Sequence, residues 1–362
     1  MVGVVTVRAK LASLKELRGF LNAVDWRRLH LEISRELEAR IVITGPVNSG
    51  KSTLFNLLKG AYVSPASPVA GTTRSPIEEH MGPFLLVDTP GLEGPDAEAS
   101  ATMAQSLAST ADLVLFVVDG SLGVRSSQVA WFHRMRTVAA ARPVLLVVNK
   151  VDLLKQNSDA VVRDFTSAYG TEAIGVSALH GTNVAQQLLP EIIDRHPDLA
   201  VVLGRELPPL RRRAANRVVM AASVLNAAIG VEPIPFVDIP ALLLTHSRMV
   251  LRIAAIYGEE MTSLHVRELI ATFVGGMTLR YIAREFAKAI PIAGNMLVGG
   301  LAAAGTWAMG QVAIQYFEEG KRLTPAELRQ RYGREVKARL LRRDASPITL
   351  PPPRHDSPHD PV

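Results

Sequence analysis

Cysteine is absent from the 362 residues, which excludes disulfides, zinc–thiolate sites and thiol catalysis. Aromatic residues are scarce, 5% against 48% hydrophobic residues in all. The core must therefore come from Val, Leu, Ile and Ala, which suit helices and buried parallel strands. No internal repeat is visible. Neither sign of charge dominates: 40 Lys+Arg stand against 34 Asp+Glu, a formal charge of +6. That balance is compatible with RNA or anionic lipid and points to neither. The stretch MVGVVTVRAKLASLKELRG places its short apolar run before its charges. A secretory signal has the reverse order, so the N-terminal half is expected to be cytosolic.

What is present falls into blocks. Residues 1–38 read as a helical extension, with Asp25 as the cap of DWRRLHLEISRELEA. Between 39 and 196, apolar runs (RIVIT, FLLVD, LVLFVVD, VLLVVN, AIGVS) alternate with helical patterns. This order predicts an α/β fold, a doubly wound sheet with a central parallel portion. A linker is expected at 197–217 and a helical, apolar all-α domain at 218–343, which ends in a basic helix. Thr324 and Glu327 form a capping box at the start of that helix, with Pro325 in first position. The Pro-rich stretch 344–362 is expected to be a disordered tail.

The chemistry concentrates in the loops after the strands. GPVNSGKST, Gly45 to Thr53, matches G-x-x-x-x-G-K-[ST] between a strand and a helix. In this pattern backbone N–H groups from Gly45 through Asn48, Ser49, Gly50 and Thr53 close on phosphate oxygens. Lys51 reaches the β- and γ-phosphates, and the Ser52 hydroxyl completes a Mg²⁺ shell. After FLLV comes DTPG: Asp88 is placed to hold Mg²⁺ and the Gly91 N–H to meet the γ-phosphate. After VLLVV comes NKVD. There Asp152 can accept from guanine N1–H and N2–H₂, a donor pair that adenine lacks. Asn149 braces this loop and the Lys150 stem lies over the base. After AIGV, the backbone of Ser177, Ala178 and Leu179 can reach guanine O6. GTP is thus the expected nucleotide.

GPVNSGKS, GTTR, DTPG, NKVD and SAL together resemble the translation-factor-related P-loop GTPases of the Era and TrmE type, over roughly residues 39–196. The resemblance implies GTP hydrolysis to GDP, and it implies that Thr73 of AGTTRS is the switch threonine whose hydroxyl reaches Mg²⁺; Thr72 is the fallback. It also implies that Asn48, in a GxxN pattern, helps hold K⁺ against the phosphates. The competing reading makes Asn48 a simple turn residue. Leu92 stands where Ras-like enzymes carry a water-orienting Gln, so turnover should be slow without a partner or cation. Glu93, Asp96 and Glu98 lie nearby and read mainly as a solvated loop.

In the C-terminal half, Ala289 to Phe317 carries no charged residue, which is long enough to cross a bilayer. Gly300, Ala304 and Ala308 recur every four residues, a stripe that lets helix backbones approach. The stretches IGVEPIPFVDIPALLLTHSRMVLRIAAIYG and REFAKAIPIAGNMLVGGLAAAGTWAMGQ resemble a bacterial domain of unknown function found behind Era-like G domains and usually regarded as membrane-associated. Two readings stay open for residues 218–317: attachment to the inner membrane, or a soluble helical bundle or dimer interface with an Ala/Gly-rich buried core. RNA binding is the alternative partner class, resting on the basic residues between Lys321 and Arg343 and on Arg211 to Arg213. His133, His246 and His265 are scattered singly and read as structural.

Overall fold

The computed structural model describes residue 19 and residues 24–61, 78–87, 111–139, 143–154, 157–231, 238–260, 262–273 and 293–341. They fall into two compact units, Glu32–Ala214, and Met1–Leu31 together with Ala215–Val362.

Helix α1 (Trp26–Leu37) begins where Asp25 Oδ1 accepts from Arg28 N at 3.0 Å, the cap that the sequence leads one to expect. Strand β1 (Ile41–Thr44) follows, then α2 (Lys51–Ala61), β2 (Glu78–Met81), β3 (Phe84–Val87), β4 (Leu113–Asp119), α3 (Ser126–Ala139), β5 (Val144–Asn149), α4 (Ser158–Tyr169) and β6 (Ala173–Gly175). These strands form one sheet in the order β2-β3-β1-β4-β5-β6. All neighbours are parallel except β2, which runs antiparallel to β3 across the Gly82–Pro83 turn. Every residue of β1 and β4 is buried, as expected of strands covered on both faces. Strand β2, with the sequence EEHM, carries no apolar run and is not foreseen from the sequence.

Five of the aromatic residues, Phe116, Trp131, Phe132, Phe165 and Tyr169, pack in one core cluster against this sheet. Phe116 of β4 makes edge contacts with Trp131 and Phe132 of α3, at 4.9 and 5.3 Å between ring centroids, and Tyr169 of α4 lies 5.2 Å from Phe132. Burial drives the Tyr169 phenol up to about 12. At the sheet's edge, β6 is closed by side chains: Ala173 N donates to Thr166 Oγ1 at 3.1 Å, and Asn183 Nδ2 donates to the Gly175 carbonyl at 3.0 Å.

Beyond β6 come α5 (Leu189–Arg195), α6 (Ala200–Glu206), α7 (Arg211–Val231), α8 (Asp238–Ile256), α9 (Ser263–Phe273), α10 (Ala293–Glu318) and α11 (Pro325–Leu341). Helix α10 packs on α8 and α11, and α9 packs on the same two helices. The capping box of α11 is formed: Thr324 N donates to Glu327 Oε2 at 2.8 Å and Glu327 N to Thr324 Oγ1 at 3.3 Å.

Among the described residues no helix is long and apolar enough to cross a membrane. Helix α10 buries Ala304, Ala308, Val312 and Ile314, whereas Gly300 is exposed. The tight approach falls at Gly310 instead, off the expected stripe: a Cβ there would lie 2.3 Å from Val219 Cγ2 of α7. Gln311 donates to Asn216 Oδ1 at 2.8 Å. A buried polar node joins three helices. Asn226 Nδ2 (α7) donates to Thr306 Oγ1 (α10) at 2.8 Å, and His246 Nε2 (α8) lies 3.0 Å from that hydroxyl and 3.2 Å from the amide.

Candidate nucleotide site

The phosphate loop runs from the end of β1 to the first residue of α2. Gly45 (φ +146°) and Gly50 (φ +87°) occupy conformations that side chains rarely adopt. Sterics demand glycine there as well: a Cβ at Gly45 would sit 2.0 Å from the Val117 carbonyl oxygen, and one at Gly50 would sit 2.1 Å from Asn149 Nδ2. Asn48 is left-handed at φ +61°. Lys51 is buried, its ammonium donating to the Pro46 carbonyl at 2.9 Å inside the loop. Ser52 and Thr53 are exposed on the first turn of α2.

The base-reading loops are tied to this cradle. Asn149 closes β5 and is buried; its Nδ2 donates to the Ser49 carbonyl at 2.8 Å and its Oδ1 accepts from Ala178 N at 2.9 Å. One side chain thus joins the phosphate loop, NKVD and SAL. Lys150 (φ +64°) donates to the Asn48 carbonyl at 2.6 Å and to Asp119 Oδ2 at 2.5 Å. Asp152 lies in the short 3₁₀ turn that follows, with His180 Nε2 3.9 Å from its Oδ2. Ser177 is buried and its Oγ accepts from His180 N at 3.3 Å, while Leu179 is exposed.

Of the residues singled out in the sequence, Gly45, Asn48 to Thr53, Asn149, Lys150, Asp152 and Ser177 to Leu179 lie in these three loops. Thr73, Asp88, Gly91 and Leu92 lie outside the described residues. The sequence reading missed Asp119, which anchors the Lys150 ammonium and accepts from Ser121 N at 2.9 Å. Burial raises this carboxyl, but the hydrogen bonds from Lys150 and Ser121 and the Lys150 charge outweigh it and hold Asp119 below its ordinary value. An acid closing LVLFVVD, directly before Gly120, is the signal that could have found it.

Residues 40–150 match the family model described as 50S ribosome-binding GTPase. The fold is that of a P-loop GTPase. Behind this GTPase region, residues 196–283 match a domain of unknown function, DUF697. GTPase Der of Xanthomonas campestris pv. campestris (strain B100) is 32% identical over 216 residues, covering 55% of this chain and 44% of its own length. GTPase Der of Salinispora tropica is 34% identical over 223 residues, 57% of this chain and 46% of its own. The chain thus spans less than half the length of these curated relatives. A crystal structure of Era in complex with MgGDPNP and a segment of 16S ribosomal RNA aligns at 25% identity, covering 52% of this chain and 67% of that one, with a TM-score of 0.34.

Proposed function

We propose that the chain binds and hydrolyses GTP and acts as a nucleotide-dependent switch for its helical unit, with the GTPase region cytoplasmic. The observation that carries this reading is Asn149, which fastens the phosphate loop to both base-reading loops. A site in which phosphate and base readers share one brace is preorganised for a whole nucleotide. Two buried hydroxyls, Thr44 Oγ1 at the end of β1 and Ser49 Oγ in the phosphate loop, have no hydrogen-bond partner among the described residues, as in a site arranged around a ligand.

In this reading the backbone N–H groups of the loop and Lys51 hold the β- and γ-phosphates, and Asp152 selects guanine. Lys150 lays its stem over the base while Asp119 and the Asn48 carbonyl fix its head. Mg²⁺ would supply positive charge that offsets the charge of the phosphates. Ser52 fits it, with an exposed hydroxyl at the cradle's lip, and Thr73 and Asp88 would complete the set. Asn48 has a competing account as a turn residue, because asparagine tolerates its left-handed conformation.

A second reading, a GTP-dependent RNA- or ribosome-associated factor, is favoured by the match to a ribosome-binding family. Attachment to lipid through residues 218–317 has less support, since α10 buries Ala304, Ala308, Met309, Val312 and Ile314.

The test is calorimetric titration with GTP, GDP and ATP. Asp152→Asn should weaken GTP binding at least about tenfold, the scale of one charged hydrogen bond. A xanthine nucleotide should regain part of the loss, since its C2 oxygen accepts where guanine donates. Unchanged GTP affinity would place the base elsewhere.

A further inference from the structure

Seven cations lie between Lys321 and Arg339, and the structure divides them. Three are engaged within their own unit: Lys321 pairs with Glu259, Arg331 with Glu319, and the Arg339 guanidinium lies 4.9 Å over the Trp307 ring. Arg322, Arg329, Arg334 and Lys337 are exposed, and none of them pairs with a carboxylate among the described residues. On an α-helix Arg329, Lys337 and Arg334 fall within about 140° of arc, and Arg329 to Lys337 spans about 12 Å. Gln330 lies between them.

Helix stability does not account for this face. Cations are favoured at a helix C-terminus, but Arg322 stands just ahead of the N-terminus of α11, where the macrodipole opposes it. Arg334 and Lys337 are three residues apart, a spacing at which like charges repel. An anionic partner relieves both costs.

We propose that this outer face of α11, with Arg322 ahead of it, docks the phosphate backbone of RNA. A helix that lies on a bilayer offers an apolar face to the acyl chains. Helix α11 does the opposite: Leu328 and Tyr332 are buried, and no large hydrophobic side chain is exposed on it among the described residues. Three of the four free cations are arginine, whose planar fork matches phosphate oxygens in pairs. RNA docking deepens the ribosome-associated reading and rests on it for the choice of nucleic acid.

The experiment uses the full chain without nucleotide, so that its failure leaves GTP binding untouched. A labelled single-stranded RNA of mixed sequence, about 20 nucleotides long, is titrated by fluorescence anisotropy at several salt concentrations. Four phosphate contacts predict that log K falls with log salt at a slope of about −3. The triple variant Arg329→Gln, Arg334→Gln, Lys337→Gln changes only exposed residues. Its slope should shallow by about 2, with at least a tenfold loss of affinity in low salt and a circular-dichroism melt no lower than that of the wild type. An identical slope and affinity in the triple variant would overturn the docking face. So would a chain that ignores RNA but sediments with phosphatidylglycerol vesicles.

Discussion

Acid is expected to destabilise the helical unit through His246. Burial holds this imidazole down to about 4, from an ordinary value near 6.5. Among the described residues its Nδ1 is buried without a partner, and the Asn226 amide already directs a donor toward Nε2. The neutral ring then accepts at Nε2 and carries its proton on Nδ1, so a charged ring would bring a second N–H directly against that amide in the interior. The folded-state value is depressed, so the stability is present above pH 6.5 and lost as pH falls toward 4, because the unfolded chain takes up a proton that the folded unit refuses. With those two values the loss between pH 7 and pH 5 is about 2 kcal/mol. The assay is urea unfolding followed by circular dichroism at pH 7, 6 and 5, on wild type and on His246→Gln. The variant should be weaker at pH 7 but flatter with pH, by about that amount. His196 of the other unit is also held down to about 4, by burial and by Arg195, so His196→Gln serves as a control. If wild type and His246→Gln lose the same stability over this range, the ring does not titrate as the geometry requires.

Three further outcomes are expected. Gly50→Ala forces a side chain onto Asn149 Nδ2 at a left-handed position, and GDP affinity by calorimetry should fall at least about a hundredfold; a small loss would show that Asn149 is not the brace. Gly310→Ala should destabilise the helical unit by about 1–3 kcal/mol, and Val219→Ala in the same chain should restore part of it; no rescue would mean that the two helices do not meet there. If Asn48 helps to hold K⁺, phosphate release from GTP should run faster in KCl than in NaCl at equal ionic strength, and Asn48→Ala should erase the difference. Equal rates would leave Asn48 a turn residue.

The parallel strands were readable because each is an unbroken apolar run, which burial on both faces requires. LVLFVVD and VLLVVN coincide with β4 and β5 residue for residue. Strand β2 was not readable: EEHM is held by pairing with β3, a tertiary cause that local pattern does not carry. The phosphate and base loops were legible because their residue types answer to one ligand. Asp119 was not, because an acid at a strand end is common and only the fold brings it to Lys150. In the helical half, composition gave the helices. Of the stripe that spacing marked, Ala304 and Ala308 are buried and Gly300 is exposed, while the close approach to Val219 falls at Gly310, which the spacing does not mark.

The closed edge at β6 limits how copies of this chain can go wrong. A bare strand edge is a template on which another chain can add a strand. Here an incoming strand would first have to break the Thr166 and Asn183 bonds, at about 1 kcal/mol each, before gaining any of its own. Strand β6 is also only three residues long, so the reward is small. Sheet-to-sheet polymerisation of the native protein through β6 is thereby disfavoured, and crowding or overexpression would have to recruit another surface to drive aggregation.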